Sequence, residues 1–349
     1  MTVPVRIAIS LGDPAGIGTE VTLKALQHPR LRRRVAPVLF GDLTVARETV
    51  DRLRLKMRFL PATAVDDPHG AIPLVEVATL PAGARRPGRP SRAGGEAAFQ
   101  AIVAAVRSVQ GGHTAAVVTA PISKANIVAA GHEFAGHTEL LTELSKAPCV
   151  RMMMAGPRLR VVLVTTHVAL RKVPSLLTPG RIGDTITLTQ QTLRTRFGIR
   201  RPRIAVCGLN PHAGEAGLFG QEDERVIRPA VQQARRRGVQ AIGPLPADSV
   251  FAHAVDGRYD AVVCMYHDQG LAPFKLLHFR DGVNVTLGLP FVRTSPDHGT
   301  AYDIAGRGVA DPSSMIAAIE LAMKLARPAG HTGAALRRRG SASGGSHAH

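Results

Sequence analysis

One pattern constrains this chain more than any other: a short apolar run ends in a polar burst that carries a histidine, and it occurs three times. Residues 261–265 run into Tyr266-His267-Asp268-Gln269-Gly270. Residues 161–164 run into Thr165-Thr166-His167, and residues 204–207 pass through Gly208-Leu209-Asn210-Pro211 to His212. Short runs rich in β-branched residues and closed by turn-forming residues read as buried strands. In α/β proteins ligands bind in the crevice beyond the carboxyl ends of such strands. A lone histidine there would read as a structural hydrogen-bonding residue. Three at matching downstream positions, two of them flanked by Asn210 and Asp268, read instead as metal ligands, with carboxylate or water completing the shell. The spacing is not a local motif such as HExxH.

The rest of the chain reads as a doubly wound α/β fold. Residues 5–11 form a first strand, which meets Gly12-Asp13-Pro14-Ala15-Gly16-Ile17-Gly18 and a helix over 19–27, the opening of a βα unit. That loop is neither GxGxxG nor a Walker A sequence. Gly16 and Gly18 either let an anion approach the helix start or simply make a turn. Further strands are expected at 37–40, 74–77, 115–118, 150–154 and 283–287. Helices are expected at 95–109, 183–196, 222–236, 300–306 and 314–327. Residues 81–92 and 293–299 read as loops, the first of them exposed. Residues 328–349 are small, basic and without apolar period, and read as a disordered tail.

With 349 residues, 45% of them hydrophobic, the chain can bury a large core in one large or two medium domains. No apolar run approaches the ~18 residues of a membrane span, and the N-terminus lacks a signal-peptide layout, so a cytoplasmic location is expected. Cys149, Cys207 and Cys264 are an odd number, widely spaced and without a CxxC, and read as reduced core thiols. The net charge of +18 raises the question of a nucleic-acid partner. The arginines are spread along the chain, however, only 4% of residues are aromatic and there is no tryptophan, so base-stacking platforms are poorly supplied. A solvated basic surface accounts better for the charge, with attraction of small phosphorylated anions as the weaker functional reading.

Several polar residues are candidates for binding such an anion. Lys275, Asn284 and Arg293, converging on one pocket, would suit a phosphate, the guanidinium giving a two-pronged grip. Lys124, at a strand end, reads either as a contact for a phosphate or carboxylate or as an exposed loop lysine. His137 precedes a helix for which Thr138 is the expected N-cap and Glu139 suits the dipole. Asp248 reads as a helix cap.

The ordered motifs GDPAGIG with Glu20, TAPISK, GHTELL, TTH, GLNPHAGEAGLFGQED, GPLPADSVF, YHDQGLAPFK, GVNVTLGLPFVRTSPDHGTA and IAGRGVAD resemble the 4-hydroxythreonine-4-phosphate dehydrogenase family (PdxA) of vitamin B6 biosynthesis. The resemblance covers about residues 6–327. It implies a two-domain α/β/α sandwich of the isocitrate and isopropylmalate dehydrogenase type, with the active site in the interdomain cleft and at the interface of a homodimer. The expected division is 1–130 plus 300–327 for the first domain and 131–299 for the second. The resemblance further implies NAD or NADP as cofactor and one divalent metal per site (zinc, magnesium or cobalt). The metal would be held by His167, His212 and His267, and a phosphorylated substrate by His137, Thr138, Lys275, Asn284 and Arg293. Asp248 and Asp268 are the candidates for proton transfer or for orienting the histidines. The expected reaction is oxidation and decarboxylation of 4-phosphooxy-L-threonine. A sibling activity on 4-phosphorylated threonate or erythronate would use the same residues. A nucleic-acid binder and a metal hydrolase are rivals from other classes.

Overall fold

A computed structural model describes residues 4–32, 34–61, 71–134 and 136–327; the tail expected over 328–349 lies outside them. In chain order the strands are β1 (Val5–Ser10), β2 (Val35–Gly41), β3 (Phe59–Pro61), β4 (Ile72–Glu76), β5 (Ala116–Thr119) and β6 (Arg151–Ala155). They continue with β7 (Arg160–Leu163), β8 (Ile204–Cys207), β9 (Ala241–Leu245), β10 (Ala261–Cys264), β11 (Val283–Leu287) and β12 (Val292–Pro296). Among the described residues they form one sheet, in the order β3-β4-β2-β1-β5-β12-β11-β6-β7-β10-β8-β9.

Strand direction divides this sheet into two parallel blocks of opposite sense. From β3 to β12 the strands run together, and so do β7, β10, β8 and β9. Antiparallel contacts of β12 with β11, β11 with β6 and β6 with β7 join the blocks. The strands read as continuous apolar runs because both faces are covered, as parallel sheets require. Alternate residues enter different cores. Ile7 and Ile9 pack with Met315 and Ile319 of the helix Ser313–Ala326, whereas Ala8 packs with Ala101 and Ile102 of the helix Arg92–Gln110. The result is the three-layer α/β/α arrangement expected from the sequence.

Three expectations are corrected. Residues 293–296 of the expected loop are instead the core of β12, every residue of which is buried. Its polar run hid the strand, since Arg293, Thr294 and Ser295 find hydrogen-bonding partners inside the protein or line a cavity. Residues 300–306 form turns and no helix. That segment is held by the glycine-rich loop: Ile17 N donates to Thr300 O at 2.9 Å, Tyr302 Oη to Asp13 Oδ2 at 2.6 Å, and Asn126 Nδ2 to the same carboxylate at 2.9 Å. A Cβ on Gly16 would stand 2.9 Å from Thr300 O, so packing against this segment fills the space that an approaching anion would need. Residues 81–92 are only partly exposed. Ala82–Arg85 forms a 3-10 turn with Ala84 buried, and Asp42, which caps the helix Leu43–Leu53, also accepts from Leu80 N at 2.7 Å.

The C-terminal segment closes onto the first helix, Gly18–Gln27. Buried Glu20 pairs with Lys24 at 2.7 Å and accepts from Ala310 N, while Lys24 also donates to Gly308 O and Ala310 O. Cys207 and Cys264 are buried and Cys149 is half-buried, and all three are free thiols. Among the described residues no helix is long and apolar enough to cross a membrane.

The helix Arg92–Gln110 touches the helix Lys124–Ala129 through Gly95, where an added Cβ would overlap the Asn126 carbonyl oxygen. Alanine normally favours a helix over glycine by about 1 kcal/mol, but the opposing object here is backbone, and overpacking costs about 1–3 kcal/mol. Gly95→Ala should therefore lower the melting temperature. A rise would show that the two helices separate freely.

Candidate active site

A cavity of about 600 Å³ opens over the region where strand direction reverses. Its floor is one face of the antiparallel strands. Asn284 pairs with Ser295 and Met154, and Thr286 pairs with Met152, so these side chains share that face. Met152, Asn284, Arg293 and Ser295 line the cavity. The walls come from both blocks: Thr119 at the end of β5 and Lys124 beyond it, Asp297 and His298 after β12, and His167 and His267 after β7 and β10. The helix His137–Ser145 adds His137, Thr138 and Glu139.

Arg293 is the deepest charge, only 1% exposed. Its partners are hydroxyls: Nη2 donates to Thr119 Oγ1 at 2.6 Å and Nη1 to Thr286 Oγ1 at 3.0 Å. Burial pulls its pKa down to about 9, which leaves it charged at neutral pH. A buried guanidinium with only neutral partners beside an open cavity is an anion site. Lys275, on the helix His267–His278, stands 3.3 Å from Asp297 Oδ2. Burial pushes the Asp297 carboxyl up, and the Lys275 charge works against that shift. His137 is half-buried, and its Nε2 is shielded from solvent without a hydrogen-bonding partner. Desolvation, and then the Arg293 and Lys124 charges, hold its pKa well below the usual histidine range, while a bond to the Ala120 backbone opposes them.

The histidine loops lie side by side because β7, β10 and β8 are neighbours of common direction. Side chains stitch them together. Thr165 Oγ1 donates to Met265 O at 2.7 Å, Gln269 Oε1 accepts from Met265 N at 2.7 Å, and Gln269 Nε2 donates to Gly208 O at 2.7 Å. Two of the three expected ligands meet: the rings of His167 and His267 lie 5.5 Å apart, centre to centre. Two imidazoles binding one cation at about 2.0–2.1 Å with tetrahedral geometry would have their ring centres roughly 5–6 Å apart. His267 Nδ1 bonds Asp268 Oδ1 at 2.7 Å, which leaves Nε2 for a cation, the usual outer-shell arrangement. Burial, then the Lys124 and His267 charges, lower the His167 pKa, which favours the neutral form that a metal needs.

His212 is not brought into this pair. It lies outside the cavity lining, 6.1 Å from the ring of Phe219. Its segment, Pro211–Gly217, has positive φ from His212 to Ala216 and is anchored by Asp223. That fully buried carboxylate accepts from Leu209 N at 2.8 Å, Asn210 N at 3.2 Å and Asn210 Nδ2 at 2.9 Å. Among the described residues no three histidine, cysteine or acidic side chains stand close enough to hold a metal. The His167–His267 pair thus fits two positions of a cation site, and a third donor is not assembled within one chain.

Of the two acids proposed for proton transfer, Asp268 lines the cavity but its side chain is 85% exposed. Asp248 lies outside the lining, in the first turn of the helix Ala247–Val255, where Pro246 holds the cap position. Gly136, rather than Thr138, occupies the cap position of the helix His137–Ser145. Sequence reasoning passed over Asp297 and His298, because they fell in a stretch read as loop, and Thr119, whose role exists only through Arg293.

Fold and cavity together define a layered α/β protein with a cationic pocket suited to an anionic ligand. Comparison narrows the class. A family model described as pyridoxal phosphate biosynthetic protein PdxA matches residues 33–322, and the chain belongs to that family. It is 48% identical over 322 residues to a 4-hydroxythreonine-4-phosphate dehydrogenase of Desulforapulum autotrophicum, covering 90% of this chain and 94% of the relative. A provisionally named D-threonate 4-phosphate dehydrogenase of Oceanobacillus iheyensis is 42% identical over 325 residues, covering 92% and 97%. The crystal structure of 4-hydroxythreonine-4-phosphate dehydrogenase from Klebsiella pneumoniae superposes with a TM-score of 0.83 at 41% identity, covering 93% of this chain and 99% of that one.

The lowered pKa of His137 predicts an acid sensitivity. The folded protein refuses a proton that the unfolded chain accepts near 6.5, so the contribution of His137 to stability is complete above that pH. It is lost as the pH falls toward the depressed folded value. Between about pH 7.5 and about pH 5, the melting temperature of the native protein should fall more steeply than that of His137→Gln. Parallel curves would contradict the assignment.

Proposed function

We propose that this chain is an NAD-dependent dehydrogenase that oxidises the C3 hydroxyl of 4-phosphooxy-L-threonine and promotes loss of carbon dioxide. The product is 3-amino-2-oxopropyl phosphate, on the route to pyridoxine 5'-phosphate. The observation that carries this reading is the buried Arg293 guanidinium, which faces the cavity with hydroxyls as its partners. The phosphoryl group belongs there, with Lys275, Asn284, His137 and Thr138 around it. Arg293 supplies the fixed charge, and Lys275, already beside Asp297, a mobile one. The free Nε2 of His137 turns from acceptor to donor when the incoming phosphoryl charge draws a proton onto the ring.

His167 and His267 are the residues that would hold a divalent cation, zinc, magnesium or cobalt, with His212 as the third protein donor on the family pattern. When bound, such an ion acidifies the substrate hydroxyl and stabilises the enolate left by decarboxylation. Asp268 orients His267 through its 2.7 Å bond. The cofactor is NAD, with NADP as the variant. The working form is a homodimer in the cytoplasm. Exposed Val168, Leu170, Leu218, Phe219, Leu276 and Phe279 sit on the histidine loops and the helix bearing Lys275, and would be covered by the second subunit. The proposed domain division is 1–130 plus 300–327 against 131–299, with the parallel β5–β12 pair at the join. The sibling reading, a dehydrogenase of 4-phosphorylated threonate or erythronate, is favoured by the Oceanobacillus relative and uses the same anion residues.

Purified protein with a divalent metal, NAD and 4-phosphooxy-L-threonine should form NADH, and faster than with the phosphorylated hydroxy acids. The reverse ranking would establish the sibling activity, and no turnover with any of them would refute the reading. Arg293→Met should raise KM by about 100-fold or more while melting at the native temperature or above, since replacing a buried charge with an apolar side chain is often neutral or stabilising. Unchanged KM would remove Arg293 from the site.

A further inference from the structure

Three cationic side chains line the cavity, and two are already engaged. Lys275 pairs with Asp297, and Arg293 donates to Thr119 and Thr286. The third, Lys124, opens the helix Lys124–Ala129, where the Ser123 hydroxyl accepts from Asn126 N at 3.3 Å and fixes the start of the helix. Among the described residues no hydrogen bond or ion pair engages the Lys124 ammonium. Glu139 shares this wall of the cavity without coming within ion-pair distance of it.

The neighbourhood is shaped around this lysine. A Cβ at position 136 would stand 3.1 Å from Lys124 Cε and 3.7 Å from Nζ, so a glycine at that place leaves the lysine stem its room. Next along the chain is His137, whose buried Nε2 is unpartnered. Lys124 lines the same cavity as Arg293 and the His167–His267 pair. The unpaired ammonium is spare donor capacity, and His137 Nε2 becomes a second donor once an anionic ligand draws a proton onto the ring, so ligand oxygens can satisfy both.

We infer that Lys124 is a substrate-binding residue of this cavity, its ammonium taking an anionic oxygen of the substrate, either phosphoryl or carboxylate. This rests on the function proposed above, and it adds a residue and a second point of charge recognition to it. A charge-assisted bond at this position gives the substrate one more fixed point. Its loss is expected in binding rather than in the fold, because among the described residues no hydrogen bond or ion pair is made by the Lys124 side chain.

Titration calorimetry of full-length protein with inorganic phosphate and, separately, with malonate tests the inference without relying on turnover. Lys124→Met should weaken one of these anions by about 10- to 100-fold, and Lys124→Arg should restore most of the loss, with melting temperatures unchanged. Weakened phosphate binding assigns Lys124 to the phosphoryl oxygens, and weakened malonate binding assigns it to the carboxylate. Native affinities for both in Lys124→Met would overturn the inference, as would failure of the native protein to bind either. Steady-state rates on 4-phosphooxy-L-threonine then separate the two readings. A native protein that binds anions through Lys124 yet forms no NADH would refute the proposed reaction and leave the lysine's role standing. An active native enzyme whose Lys124→Met variant keeps its KM and both anion affinities would do the opposite.

Discussion

A guanidinium enclosed in the middle of the sheet is the constraint around which the rest of this protein is arranged. Removing an ion from water costs on the order of several kcal/mol even after the surroundings relax. Arg293 meets that cost with neutral hydroxyls from Thr119 on β5 and Thr286 on β11, the strands that flank its own. Apolar packing could have filled the same position at lower cost. A charge kept there is best understood as one that awaits an opposite charge from outside the chain, and the cavity next to it supplies the route.

Sheet topology decides what else can reach that charge. Within one parallel block, loops from a single end would gather on one side. Here the blocks run in opposite senses, with β11 and β6 stitched between them. The cavity over the reversal therefore collects anion-binding residues from one block and histidines from the other. Gln269 and Thr165 then bind neighbouring histidine loops to each other through buried backbone groups. Placement of His167 and His267 thus depends on hydrogen bonds that a local reading of either loop would not show. The His212 loop is held instead by Asp223, in a run of left-handed residues outside the cavity. Third-donor chemistry is the part of the family pattern that a single chain does not assemble.

What could be read from the chain followed a simple rule. The edge strands β3 and β9 were not anticipated, but the inner apolar strands announced themselves, since a strand buried on both faces must be apolar throughout. β12 did not, because Arg293, Thr294 and Ser295 satisfy their polar atoms inside the fold or face the cavity, and polar residues in sequence imitate a loop. The segment over 300–306 failed in the opposite direction. Its helix-compatible composition was overruled by contacts with Gly16, Ile17 and Asp13, nearly the whole chain away. Asp297 and His298 were lost with the first error. Lys124 was visible as a residue, but its lack of a partner is a property of the assembled wall.

Most of the strands and helices and the layered class are written in the chain, because they depend on local composition and periodicity, and the family is written in its ordered motifs. Tertiary structure alone settled which of those residues face one another. It turned a presumed loop into a central strand, left Asp248 outside the cavity, joined two histidines and kept the third apart. Proximity between residues more than a hundred positions apart is set by strand order and direction, and no short-range pattern encodes either.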